Sequence, residues 1–130
     1  MLIATHQRID RRLCGEPLEV GGGSARVALL TTPEMAADEA GLVHGGFVFG
    51  LADHAAMLAV NLPTVVLGSA EVRFHRPVAV GERLTAEARL EETAGRKRLV
   101  AVEVLRAGEA VFSGRFTCLV PERHVLETRP

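Results

Sequence analysis

The 130-residue sequence predicts an α+β fold in which one antiparallel sheet curls around a single long central helix. Residues 47–60 are helix-compatible and carry apolar side chains on every face, so a helix there has no watery side and must be wrapped by the rest of the chain. Four extended segments follow it, at residues 64–75, 82–91, 98–106 and 109–121, and short turns at Gly95 and Ala107-Gly108 imply an antiparallel meander. Two further extended runs precede it. A curled sheet buries the helix on most sides and leaves its own outer face polar.

In chain order, Thr5 is placed to cap a short peripheral helix over residues 6–13, which Gly15 and Pro17 end. Residues 17–20 and 24–32 form a hairpin about Gly21-Gly22-Gly23, with Ala25, Val27 and Leu29 alternating against polar or small neighbours until Leu30 blurs the pattern. The triple glycine is a turn, because neither a lysine nor a helix follows it as in a phosphate loop. Residues 33–39 read as a helical turn and 40–43 as a loop. The central helix stops at Asn61, ahead of Pro63, and His54 is expected at a subunit or sheet contact. Among the later strands residues 82–91 alternate most cleanly, with Leu84, Ala86, Ala88 and Leu90 on one face and Arg83, Thr85, Glu87 and Arg89 on the other. Pro77 and Gly81 mark the break before it.

The length argues for one domain, residues 1–130, with its core at about 16–120. With no tryptophan or tyrosine and five phenylalanines, the core must be filled mainly by Val, Leu and Ala, and stacking platforms for single-stranded nucleic acid are missing. A formal charge of −1 gives no general attraction to DNA or anionic lipid. No run is apolar enough for a membrane span, and Cys14 and Cys118 lack metal-ligand spacing, so a cytoplasmic protein with free thiols, no nucleic-acid or membrane partner and no metal is expected.

Two features of the helix are costly unless they have a use. Asp53 interrupts the apolar run, where an unpaired carboxylate loses several kcal/mol or stays protonated. His44-Gly45-Gly46 puts two residues without Cβ where the first helical N–H groups lack an intrahelical acceptor, a seat for an anion or a developing oxyanion. Gly46, Gly50 and Asp53 fall on nearly one stripe, and Gly50 leaves room against the backbone. By spacing alone the glycine pair is also readable as a turn and Asp53 as a structural hydrogen-bonding residue. Asp38, six residues before His44, is either a neighbour of that space or a solvated loop carboxylate.

His44-Gly45-Gly46 with an acid nine residues after the histidine, and the stretch Val72-Arg73-Phe74-His75-Arg76-Pro77-Val78-Ala79-Val80-Gly81-Glu82-Arg83-Leu84-Thr85-Ala86, resemble the hot-dog-fold acyl-CoA thioesterases of the phenylacetate-degradation type, within the 4-hydroxybenzoyl-CoA thioesterase superfamily. The resemblance runs from about residue 16 to 120. It implies that Asp53 serves as nucleophile or general base toward a thioester and that the Gly45 N–H polarises the thioester carbonyl. The two are expected to come from opposite subunits of a homodimer, itself part of a dimer of dimers. His44 then orients its neighbours or lines the pocket. Some relatives have Asn or Gln where this chain has Asp38, and a carboxylate donates no hydrogen bond unless protonated. Ser69 stands near the position where some relatives fix water. Arg73, Arg76, Arg96, Lys97 and Arg98 are candidates for the phosphates of coenzyme A, which enters as part of the substrate and not as a cofactor. Hydrolysis of a small or medium acyl-CoA is the leading expectation. The alternatives are a non-catalytic acyl-CoA-binding or ligand-sensing module and a dehydratase on the same fold, whose paired Asp and His in another loop context are not found.

Overall fold

In a computed structural model describing residues 1–130, the apolar run forms helix α2, Gly45–Val60. Val48, Leu51, Ala52, Ala55, Ala56, Met57, Leu58 and Ala59 are all buried. The alanines let strands approach the helix closely, so packing rather than one-sided amphipathicity holds it. Before it come a single helical turn α1, Arg11–Cys14, and strands β1, Glu16–Gly21, and β2, Ser24–Leu30. After it come β3, Val66–Phe74, β4, Arg83–Ala94, β5, Lys97–Arg106, and β6, Glu109–Leu119.

All six strands form one antiparallel sheet in the order β1-β2-β4-β5-β6-β3. Its inner face lays Val27, Leu29, Leu84, Ala86, Ala88, Val100, Val102, Val104, Phe112 and Phe116 against α2. The alternation read in β4 holds, with Leu84, Ala86 and Ala88 inward and Arg83, Glu87 and Arg89 exposed. Only the last three strands form a consecutive meander. β3 pairs with β6 at the far edge, and β4 pairs with β2. The crossing at 75–82 is stitched over the front of α2, where the Val43 N–H donates to the Val78 carbonyl, and the Thr31 hydroxyl donates to the carbonyls of Glu82 and Ala79. At one sheet edge, Pro17 and a register shift between Pro17 and Glu19 disrupt a regular ladder.

The N-terminal reading needs correction. No helix spans residues 6–13; His6 has φ 51°, and the single turn of α1 is capped by Asp10, whose carboxylate accepts from the Arg12 N–H. Thr5 is buried and its hydroxyl bonds Nδ1 of His6 at 2.8 Å. Apolar anchors decide this: Ile3 and Leu13 pack on the core, which an exposed helix would not allow. Asn61, in the left-handed conformation at the end of α2, ties the segment down by accepting from the Ala4 N–H and donating to the Leu2 carbonyl, both at 2.8 Å. His54 is likewise buried inside its own chain, with Nδ1–H donating to the Cys14 carbonyl at 3.1 Å, just ahead of β1. The turn after Pro33 is a 3-10 helix of three residues, Pro33–Met35, cut short because Met35 is fully buried and its carbonyl accepts from the His44 N–H.

Candidate active site

The front of α2 begins two residues earlier than the apolar pattern suggests, at Gly45, with His44 as N-cap. His44 makes no side-chain cap. The Phe47 N–H turns back to the His44 carbonyl at 3.0 Å, but Gly45 and Gly46 stand where no intrahelical acceptor exists, and no loop carbonyl or side chain accepts from them. Both glycines have close side-chain neighbours. A Cβ on Gly45 would lie 3.2 Å from the Phe74 ring, and one on Gly46 would lie 3.1 Å from Nε2 of His44. His44 therefore lies over the first turn, edge-on to Phe47. Leu42, Val43, Gly45, Val48, Phe74 and Arg76 line a cavity of about 240 Å³ beside this turn.

Along the same flank of the helix, a Cβ on Gly50 would meet no atom within 4 Å. The open stripe leads to Asp53, which is partly exposed, although its Oδ1 is buried and bonded to nothing. Burial pushes the carboxyl up to about 6. The same environment raises Cys118 to about 12, first by burial and then by the Asp53 charge. The carboxyl is desolvated on a residue that is still partly exposed, the setting in which perturbed carboxylates serve as acids or bases. Within one chain, however, Gly45 and Asp53 are eight residues apart, about 12 Å along the axis at 1.5 Å per residue. One thioester carbon cannot touch both.

The remaining expected site residues are spread more widely. Asp38 is exposed in the 36–43 loop, its carboxylate accepting from the Leu42 N–H at 3.2 Å. Ser69 follows a register shift in β3 and is exposed, opposite Thr117, on the strand face that Glu71 and Arg73 share. Arg76 reaches the cavity beside Gly45 and pairs with Glu109 at 2.6 Å. Arg96, in the β4–β5 turn, pairs with Glu122 at 2.6 Å, and Lys97 and Arg98 open β5, where Arg98 donates to the Gly95 and Lys97 carbonyls. Phe74 was not expected at the site. It lies in the motif that carries the resemblance, but only the β3–β6 pairing brings its ring over Gly45 and edge-on to Phe112, 5.0 Å away.

The thioesterase superfamily profile matches residues 40–113, which include the glycine pair, the helix, Asp53 and strands β3 to β5. The chain belongs to the thioesterase superfamily. Among solved structures similar to this superfamily member, an uncharacterized protein from Pyrococcus horikoshii is 55% identical, with a TM-score of 0.95 over 97% of both chains. A mutant of the phenylacetic acid degradation protein PaaI from Thermus thermophilus is 31% identical, with a TM-score of 0.78 over 84% of this chain and 95% of that one. The fold is the hot-dog fold, and the chain is similar to the PaaI-type members of this superfamily. It is also similar to a methylthioribose-1-phosphate isomerase from Aquifex aeolicus, 48% identical over 89% of this thioesterase-superfamily chain. A transcription factor FapR from Caldanaerobacter subterraneus is 27% identical over 93% of it. The chain spans 25% of that isomerase and 61% of that transcription factor. No helix is long and apolar enough to cross a membrane.

Proposed function

We propose that the protein hydrolyses a small or medium acyl-CoA thioester at a site shared by two copies of the chain, Asp53 coming from one and the Gly45 N–H from the other. The observation that carries this reading is the orphaned, half-open Asp53 carboxylate inside an apolar helix. A second copy bringing its helix front to the Gly50–Asp53 stripe closes the 12 Å gap that one chain leaves, an estimate of about 1.5 Å per residue.

The thioester carbonyl oxygen accepts from the Gly45 N–H, at the positive end of the α2 dipole. With its pKa near 6, Asp53 is about nine-tenths ionised at pH 7 yet a stronger base than a solvated carboxylate. As general base it takes a proton from water while the water oxygen bonds to the acyl carbon. The resulting oxyanion is held by Gly45, and its collapse expels the CoA thiolate, which takes up the proton. As nucleophile, Asp53 instead attacks the acyl carbon and expels the CoA thiolate, leaving an acyl anhydride that water then cleaves to the free acid and the Asp53 carboxylate. A single turnover in ¹⁸O-water separates the two, because only the anhydride route can leave label in the Asp53 carboxylate. Phe74 walls the carbonyl site, and Arg76 is the guanidinium best placed for a CoA phosphate, since it lines the cavity beside Gly45.

A ligand-sensing module without turnover is the second reading, favoured by the similarity to transcription factors. Release of CoA, followed with a thiol-trapping reagent across a panel of acyl-CoA substrates, separates them. Turnover that disappears in Asp53→Asn supports hydrolysis. Tight acyl-CoA binding with no thiol release from the native chain would refute it.

A further inference from the structure

The residues ahead of β1 lie along the second half of α2, and the contacts that hold them there converge beside Asp53. At the far end Asn61 ties down the backbone of Leu2 and Ala4. At the near end Gly15 is wedged between α2 and β2, where a Cβ would stand 2.7 Å from Cδ1 of Leu51 and 2.6 Å from Cγ1 of Val27. From Leu51 to Asn61 the helix runs about 15 Å at 1.5 Å per residue. Within that span His54 is only 2% exposed, and its Nδ1–H donates to the Cys14 carbonyl at 3.1 Å. Burial keeps the ring below its usual value against the raising effect of that bond; His6 and Arg11 push it down further and Glu16 pushes it up. The neutral ring carries one N–H, and a carbonyl only accepts, so the proton sits on Nδ1. Successive helical side chains are about 100° apart, so what packs on His54 abuts the flank of Asp53 and leaves the stripe past Gly50 open. The Cys14 thiol is held up first by burial, then by the charge of Asp10, then by that of Asp53, which places it within electrostatic reach of the carboxyl. Cys118 of β6 is within the same reach. Neither thiol donates to Oδ1, and each takes room in which water would solvate the charge.

We propose that His54 is a positioning residue for the reaction: its hold on the Cys14 carbonyl keeps Cys14 beside Asp53 and shuts water out from that flank of the carboxyl. The role rests on Asp53 being the reacting group, as in the function proposed above. Desolvation is what makes Asp53 a stronger base than a solvated carboxylate, so a side chain that never touches substrate sets the strength of the one that does. Water admitted at this flank would favour the ionised form and return the carboxyl toward its ordinary acidity. The tie itself survives acid, because protonation of His54 leaves the Nδ1–H in place.

The test is the ¹³C shift of the Asp53 carboxyl followed through its titration, with the thermal transition of each variant as a check on folding. It needs no turnover, so it decides the role of His54 whether or not thiol is released. His54→Leu fills the space of the ring without a donor, and the Asp53 midpoint should fall from about 6 toward ~3.9 by about one unit, a tenfold change in proton affinity. His54→Asn sets an amide N–H near the place of Nδ1 and should hold the midpoint near its native value. Cys14→Ala keeps the tie and removes the cover; it should lower the midpoint as His54→Leu does, with little effect on the transition, since Cys14 is only half-buried. Where thiol release is measured, the acid limb of kcat/KM should move with the carboxyl. A loss of packing alone would lower the transition of His54→Leu and leave the carboxyl where it is. An unmoved Asp53 midpoint in folded His54→Leu or Cys14→Ala, or an equal fall in His54→Leu and His54→Asn, would overturn the proposal; if the leucine variant does not fold, the Cys14→Ala result decides.

Discussion

Replacing Asp53 with Asn should make the protein more stable and inactive at the same time. The carboxyl is lifted from a usual value of ~3.9 to about 6 by desolvation, because Oδ1 is buried without a donor. At about 1.36 kcal/mol per tenfold change in proton affinity, this corresponds to roughly 3 kcal/mol against folding once the group is ionised. The partial exposure of Asp53 reduces the figure to about 1–3 kcal/mol. The sign follows from proton counting. Between pH ~4 and about 6 the folded state holds a proton that the unfolded chain has released, so stability falls as pH rises through that window and stays reduced above it. Asn removes the ionisation and keeps the shape. Its thermal midpoint should therefore exceed that of the native chain by several degrees at pH 7.5, at about 3–5 °C per kcal/mol, and the difference should close at pH 4. Calorimetry at both pH values, beside a thiol-release assay at pH 7.5, measures both effects. A midpoint that does not rise at pH 7.5, or a gain that persists undiminished at pH 4, would refute burial as the cause of the perturbed carboxylate.

Further outcomes follow from the same geometry. The pH profile of kcat/KM should climb about tenfold per unit below pH 6 and level off above it, as the Asp53 carboxylate becomes ionised; a profile flat from pH 5 to 7 would exclude it as base or nucleophile. Gly45→Ala keeps the N–H but drives a Cβ to 3.2 Å from the Phe74 ring, so kcat should fall at least tenfold. The thermal midpoint should change little, since helix propensity gains up to about 1 kcal/mol while the ring is displaced. Asn61→Ala removes both bonds to the N-terminal segment and a residue suited to φ 53°, at a cost of about 1–3 kcal/mol. Hydrogen exchange should then quicken over residues 1–10 before it does in α2.

The fold was largely legible because its signals are local. An apolar run without a polar face can only be a wrapped helix, the alternation from Leu84 to Ala88 identifies an inward strand face, and Gly95 and Gly108 place two tight turns at φ 61° and 81°. The strand order was not legible, since the turn after β3 does not reveal that it crosses the front of α2 to leave β3 beside β6. The N-terminal segment was misread for a related reason: Thr5 and residues 6–13 suit a capped helix locally, but Ile3, Leu13, His54 and Asn61 draw the segment onto the core instead.

The sequence by itself determined which groups are chemically unusual here: an acid at position 53 in an oily helix, and two residues without Cβ at its front. Only the tertiary structure decided that Asp53 keeps a buried oxygen without a donor, that Gly45 lies under the Phe74 ring, and that the stripe past Gly50 stays open. Desolvation and close approach depend on strands distant in sequence, and no spacing along one chain encodes them.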